Sequence, residues 1–336
     1  MEESLSTSCY GSGHMARRKT TRKSSKIQKA IRHLNYQVPA GISYIDIMKD
    51  LSAMNRKLFR QGMAVGIESI EYFYTPNPSH DVQRLTAYTA GDSWSVHNAH
   101  VKGHALWNEM NELVLADNPS IKGTWADYKV YLDDAMRTGT TLSPFVDGVA
   151  LNMGEWNYSD YVLPQHEVDP ATGQPLAADQ CQAHLIGPNV GTPGAFISVG
   201  LVEAYEKSRA TVQTDDPNVP AGVGQSFFSL LTDSGSQEPE LADVIILEND
   251  QPPYDLDNYP GGSVNAANPI ETDFAVATVG SPTGLMQPFV AQCGLIRLNN
   301  LAFNAAGESV TAPTIFMRVN VMAGNYKGIA AVPMGQ

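Results

Sequence analysis

The stretch Thr314-Ile315-Phe316-Met317-Arg318-Val319-Asn320-Val321-Met322 decides the fold class. Ile315, Met317, Val319 and Val321 fall on one side of an extended chain, and Phe316, Arg318 and Asn320 on the other. Period-two alternation with mostly β-branched apolar residues marks a strand with one buried side. The pattern repeats outward from it. Lys327–Val332 follows as a strand, and Val290–Leu298, Phe274–Val279 and Asp243–Leu247 precede it. Further back, Ala204–Val212, Ala195–Leu201, Gln182–Ile186, Phe145–Leu151 and Trp125–Leu132 read the same way. Val65–Tyr74 is a β-branched and aromatic run closed by Thr75-Pro76-Asn77-Pro78, and Arg84–Thr89 is closed by Gly91-Asp92. Short strands between turn clusters, without sustained βα alternation, predict an all-β antiparallel sandwich. Long Pro/Gly/Asn loops are expected at 164–180, 213–224, 232–242, 249–270 and 280–288.

Two helices interrupt the strands, and a short third is expected at Gln225–Leu231. The spacing predicts one over Tyr44–Gln61, with Ser43 as N-cap, Asp46 three residues on, and Gly62 as the stop. Its stripe is Tyr44, Met48, Leu51, Met54 and Leu58. The second spans Val96–Ala116, where Val96, Ala99, Gly103, Leu106, Met110 and Leu113 form a surface-lying seam. Strands, a helix and more strands occur in both 63–202 and 203–336, so two tandem sandwiches are the alternative architecture.

Charge divides the chain sharply. Residues 1–34 hold 8 of the 22 Lys+Arg and 2 of the 35 acids, leaving 14 cations against 33 acids on the remainder. The eight are Arg17, Arg18, Lys19, Arg22, Lys23, Lys26, Lys29 and Arg32, all within 17–32. Such a run neutralises phosphates by counterion release, giving salt-sensitive, sequence-independent binding. The chain as a whole is only 17% charged, so its acidic body stays soluble while leaving uncharged surface to bury against copies of itself. Residues 1–40 therefore read as a disordered segment carrying a basic arm at 15–34, residues 41–62 as an amphipathic helix, and 63–336 as the sandwich. Residues 1–14 differ in character from the basic run that starts at Met15 and have no bearing on the fold class.

Chemistry is sparse elsewhere. His97, His100 and His104 share one helix face and raise the question of a zinc site or a pH-sensitive contact, yet Glu109 and Glu112 fall too far along to orient them. Gly91-Asp92-Ser93-Trp94-Ser95 is no nucleophile elbow and reads as a turn with a helix cap at Ser95. Gly187–Gly194 lacks the Lys-Ser/Thr of a phosphate loop. Asp255-Leu256-Asp257-Asn258 lacks the Gly and Glu of a calcium loop. Asn157-Tyr158-Ser159 matches a glycosylation sequon, a short pattern of high chance rate. Cys9, Cys181 and Cys293 are odd in number and far apart, which suits a reducing compartment. No apolar run approaches a membrane span, and no cofactor is implied.

The arm Met15-Ala16-Arg17-Arg18-Lys19-Thr20-Thr21-Arg22-Lys23, the sandwich body with helical insertions, and the β-rich ending from Val319 to Ala331 resemble the capsid proteins of small icosahedral single-stranded DNA viruses and phages. That resemblance implies a jelly-roll fold, one or two in tandem, and self-assembly into a many-subunit shell. It further implies an inward arm touching a packaged single-stranded DNA genome, residence in a virion assembled inside a host cell, and no enzymatic activity. The arm is shorter and less arginine-rich than in many circular-genome viruses, so its charge neutralisation is expected to be partial. Two other readings stay open: a non-viral oligomeric nucleic-acid-binding β protein, and a β-sandwich lectin or metal-dependent enzyme using the histidine face or the 249–270 loop.

Overall fold

The alternation at 315–321 is realised in three dimensions: Ile315, Met317, Val319 and Val321 are buried, while Phe316 and Arg318 face out. The computed structural model describes residues 29–74, 80–120, 127–151, 154–163, 179–192, 195–209 and 268–335. In chain order these form β1 (His33–Val38), β2 (Gly41–Asp46), α1 (Ile47–Asn55), β3 (Met63–Phe73) and β4 (Val82–Thr89). There follow α2 (Trp94–Asp117), α3 (Asp134–Thr138), the small hairpin β5 (Phe145–Val146) and β6 (Val149–Ala150), and then β7 (Asp160–Leu163) and β8 (Asp179–His184). Next come β9 (Val190–Thr192), β10 (Ala195–Gly200) and α4 (Leu201–Arg209). The chain closes with β11 (Ile270–Thr278), β12 (Thr283–Met286), β13 (Phe289–Ala291), β14 (Leu295–Phe303), β15 (Ser309–Val310), β16 (Ile315–Val321) and β17 (Ala331–Pro333).

The two ends of the chain build one antiparallel sandwich. Its first sheet runs β1-β16-β3, with β12 and β13 on the far edge of β3 and β17 beside the start of β3. Its second runs β11-β4-β14, with β2 and β15 on the other edge of β14. Leu34, Ile70 and Met317 from the first sheet meet Leu85, Ala275 and Leu298 from the second in one apolar core. The Tyr72 hydroxyl crosses that core and donates toward the carbonyls of Gln83 (2.8 Å) and Ala275 (3.1 Å). Gly284 lies so close to the Tyr72 ring that a Cβ there would come within 2.1 Å of it, which requires glycine at this position.

Between β4 and β11 the described residues form a separate sheet, β7-β8-β10-β9, whose β8·β10 pair is parallel. It is covered by α2 and α4 rather than by a second facing sheet, so the described residues contain no second sandwich. Gly103 lets α2 come close: a Cβ there would lie 2.6 Å from the Tyr128 hydroxyl and 3.0 Å from Leu201. This layer has its own core, which also takes in Tyr44, Cys293 and Leu295 from the sandwich.

Several expectations are corrected. Residues 33–38 are not disordered: Leu34, Tyr36 and Val38 are buried in β1, an alternation masked by its proximity to the cationic run. The helix expected over 41–62 is α1 alone. Tyr44 satisfies a helical spacing, yet it pairs with Arg297 in the sheet. Asp46, not Ser43, caps α1 by accepting from the Lys49 amide, and the helix ends at Arg56 in the left-handed region. Ser93, not Ser95, caps α2. The start of the strand expected at 204–212 is helical, because Leu201, Val202, Ala204 and Tyr205 are buried at helix spacing. Residues 127–132 form no ladder strand, and Tyr131 makes one isolated bridge, to His184. The loop expected at 280–288 contains β12. The expectations at 210–267, including the strand at 243–247, the helix at 225–231 and the acidic 255–258 segment, lie outside the described residues.

Met317→Ala removes a side chain buried between Tyr36 and Tyr72, its register partners. A cost of about 2–5 kcal/mol is expected in urea unfolding. Phe316→Ser, on the outer face, is expected to stay within about 0.5 kcal/mol. Similar costs for the two would contradict the assigned faces.

Candidate nucleic-acid interface

The basic arm is rooted by β1. Six residues of β1 pair with β16, from His33 opposite Asn320 to Val38 opposite Ile315. Just before the strand, Asn55 at the end of α1 clamps the chain: Ile31 N donates to Asn55 Oδ1 (2.7 Å) and Asn55 Nδ2 donates to Ile31 O (3.0 Å). Arg32 donates from Nη1 to the Val321 carbonyl (3.0 Å) and lies 3.6 Å from the Glu68 carboxylate. Arg32 is therefore a docking residue as well as a cation. Both partners of its ion pair are well exposed, so the pair itself contributes little. Lys29 is exposed at the point where the description begins. Arg17, Arg18, Lys19, Arg22, Lys23 and Lys26 lie outside the described residues. The Asn55 clamp was not legible, since its partner is 24 residues away and carries no side-chain signal.

The three histidines of α2 do not act together. His97 Nε2 meets Asp92 Oδ1 (2.8 Å), and its Nδ1 accepts from the Gly335 amide (3.1 Å), so both ring nitrogens are engaged. His100 is buried with neither nitrogen hydrogen-bonded, and burial pushes its pKa down to about 3. It is neutral at any pH at which a histidine switch would operate. His104 stacks on Tyr128, ring centres 5.1 Å apart, and burial lowers its pKa as well. Among the described residues no three His, Cys, Asp or Glu side chains converge as metal ligands. At the loop after β8, Asn189 N donates to the Glu203 carboxylate (2.6 Å), which places a negative group where a phosphate loop would need none.

Among the described residues, the acids with raised pKa lie below the arm's root. Asp46 is buried and accepts from Lys49 N, Gln61 Nε2, Trp156 Nε1 and Tyr158 OH. Burial still raises its pKa, against the pull of those donors. Asp50, one turn along α1, accepts from Tyr36 OH (2.6 Å) through Oδ2, while Oδ1 has no partner. Burial pushes its pKa up to about 8. The pair fastens β1, α1 and the 156–158 segment together.

No protein-family profile, characterised protein or solved structure matches this chain. No helix among the described residues is long and apolar enough to cross a membrane.

Because the folded chain holds the Asp50 proton more tightly than the unfolded chain, this group favours folding at acid pH. That contribution declines from about pH 4, where the unfolded carboxyl ionises, to about pH 8, where the folded one does. The slope is at most about 1.4 kcal/mol per pH unit. Asp50→Asn is expected to flatten this part of the profile, so its stability relative to wild type rises between pH 5 and 8 in urea titrations. A pH-independent difference would show that Asp50 is already ionised in the fold.

Proposed function

We propose that this chain is a capsid subunit that assembles into an icosahedral shell and holds a packaged single-stranded DNA genome through its basic arm. The arm's cations in this role are Arg17, Arg18, Lys19, Arg22, Lys23, Lys26, Lys29 and Arg32. The observation that carries the reading is that the cationic leader runs directly into the first strand of an antiparallel sandwich with a nested pairing order. The pairs β1·β16, β2·β14, β3 with β12 and β13, and β4·β11 nest one inside the next. Alternate pairs fall in opposite sheets. A long hairpin rolled up in this way is a jelly roll, the architecture of many shell and lectin domains. The order therefore supports a single jelly roll interrupted between β4 and β11.

Exposed apolar residues on the outer strand faces support tiling. Phe73 and Phe316 are register partners on the first sheet, each more than half exposed, and Phe274 and Val276 are exposed on the second. Burying such area contributes roughly 25 cal/mol per Å², and symmetric repetition turns weak contacts into a closed shell. In this role the chain has no catalytic residue, needs no cofactor, and resides in the virion after assembly in the host cell.

Full-length protein at near-physiological salt is expected to form closed particles of tens of subunits or more in negative-stain images and light scattering. A stable small oligomer that binds single-stranded DNA without closing would favour the non-viral nucleic-acid-binding reading. A strict monomer would defeat the shell proposal.

A further inference from the structure

Beside the arm's root sits a second group of cations that the arm does not include. Arg56 follows Asn55, the residue that clamps Ile31, and Lys57 and Arg60 lie on the same linker out of α1. The loop after β16 brings in Lys327. Lys57 Nζ donates to the Lys327 carbonyl (3.1 Å), and Lys327 Nζ donates to the Leu58 carbonyl. Both ammonium groups lie over one ring, 5.1 and 5.8 Å from the centre of Phe59. Arg60 is fastened through its backbone amide to the Tyr326 hydroxyl (3.0 Å), leaving its guanidinium largely exposed.

Among the described residues one carboxylate faces this group: Asp127, 3.9 Å from Arg60 Nε. Four cations against one acid, on a body that is acidic overall, is a locally costly arrangement. Arg56 and Lys327 are also two of the four described non-glycine residues with positive φ, so the backbone is held in an uncommon conformation at both ends of the patch. Burial lowers the Lys327 pKa, and the neighbouring Arg60 and Lys57 charges lower it further, against the pull of Asp127. Lys57, Arg60 and Lys327 are thus close enough to act on one another, and Arg56 precedes Lys57 in the chain. A polyanion relieves that repulsion.

We infer that Arg56, Lys57, Arg60 and Lys327 form a body-side phosphate-binding patch that takes the backbone of the same single-stranded nucleic acid the arm captures. The inference rests on the genome-binding role proposed for the arm. The patch adjoins the arm's point of departure, so one strand can pass from the leader onto the folded surface. Recognition is by charge and is indifferent to base sequence.

The test uses the full chain and a single-stranded oligothymidylate, followed by fluorescence anisotropy across a salt series. A leader-neutralised chain carries Ser at Arg17, Arg18, Lys19, Arg22, Lys23 and Lys26. It is expected to keep a salt slope of at least about 2.8, from four patch cations at about 0.7 per phosphate neutralised. Arg56→Asn with Arg60→Gln removes two charges without touching a side-chain bond to the backbone, and Asn tolerates the left-handed conformation at 56. The pair is expected to lower the slope by about 1.4 in both backgrounds. An unchanged slope would overturn the patch, as would loss of all salt-sensitive binding in the leader-neutralised chain, an outcome that leaves the arm's role standing. Wild-type binding by the leader-neutralised chain would instead remove the arm's role and leave the patch. Equal binding of polyglutamate would overturn the phosphate assignment.

Discussion

The ladder between β1 and β16 fixes what the rest of the molecule can do. It converts the residues after the cationic run into an edge strand whose Leu34, Tyr36 and Val38 are fully buried. Each such side chain contributes roughly 1.5–3 kcal/mol, far more than any exposed ion pair near the arm. The leader is thereby tied to one edge of the first sheet and to the end of α1. Here it begins beside Arg32, Arg56 and Lys57.

The sandwich and the layer inserted between β4 and β11 are joined by buried polar groups as well as by apolar contact. Gln61 is the clearest joint: its amide nitrogen serves Asp46, and its carbonyl oxygen accepts from the Val130 amide (2.6 Å). Asp133 adds another, accepting from Tyr44 OH (3.1 Å) with Arg297 3.8 Å away. Buried pairs of this kind favour one arrangement, because breaking either member strands its partner in a low-dielectric interior. The insertion is therefore held in register with the sheets that carry the arm.

Where one periodicity dominated, the elements were legible in the sequence. Residues 315–321 alternate cleanly, 65–74 and 84–89 are β-branched and aromatic runs closed by turn residues, and α2 keeps its seam over several turns. The region 41–62 was ambiguous because Tyr44, Met48 and Leu51 fit a helix while Tyr44 and Ile45 also fit a strand. Pairing with β14, a contact between distant residues, decided the matter. β12 was hidden by Pro282 and Gly284, and the Tyr72 ring explains that glycine. The arm's composition was plain in the sequence, but its root was not. Asn55, Glu68 and the Lys57–Lys327 contact join residues far apart in the chain, and local pattern carries no information about them.

Two opposed fields thus coexist in one chain: a negative scaffold, and a positive leader that starts from a rigid edge. The most direct measurement is the amount of nuclease-protected nucleic acid in purified particles of wild-type and leader-neutralised protein. A several-fold lower content per particle is expected for the neutralised chain, with particles still forming. Equal content in the two would contradict a genome-holding role for the leader.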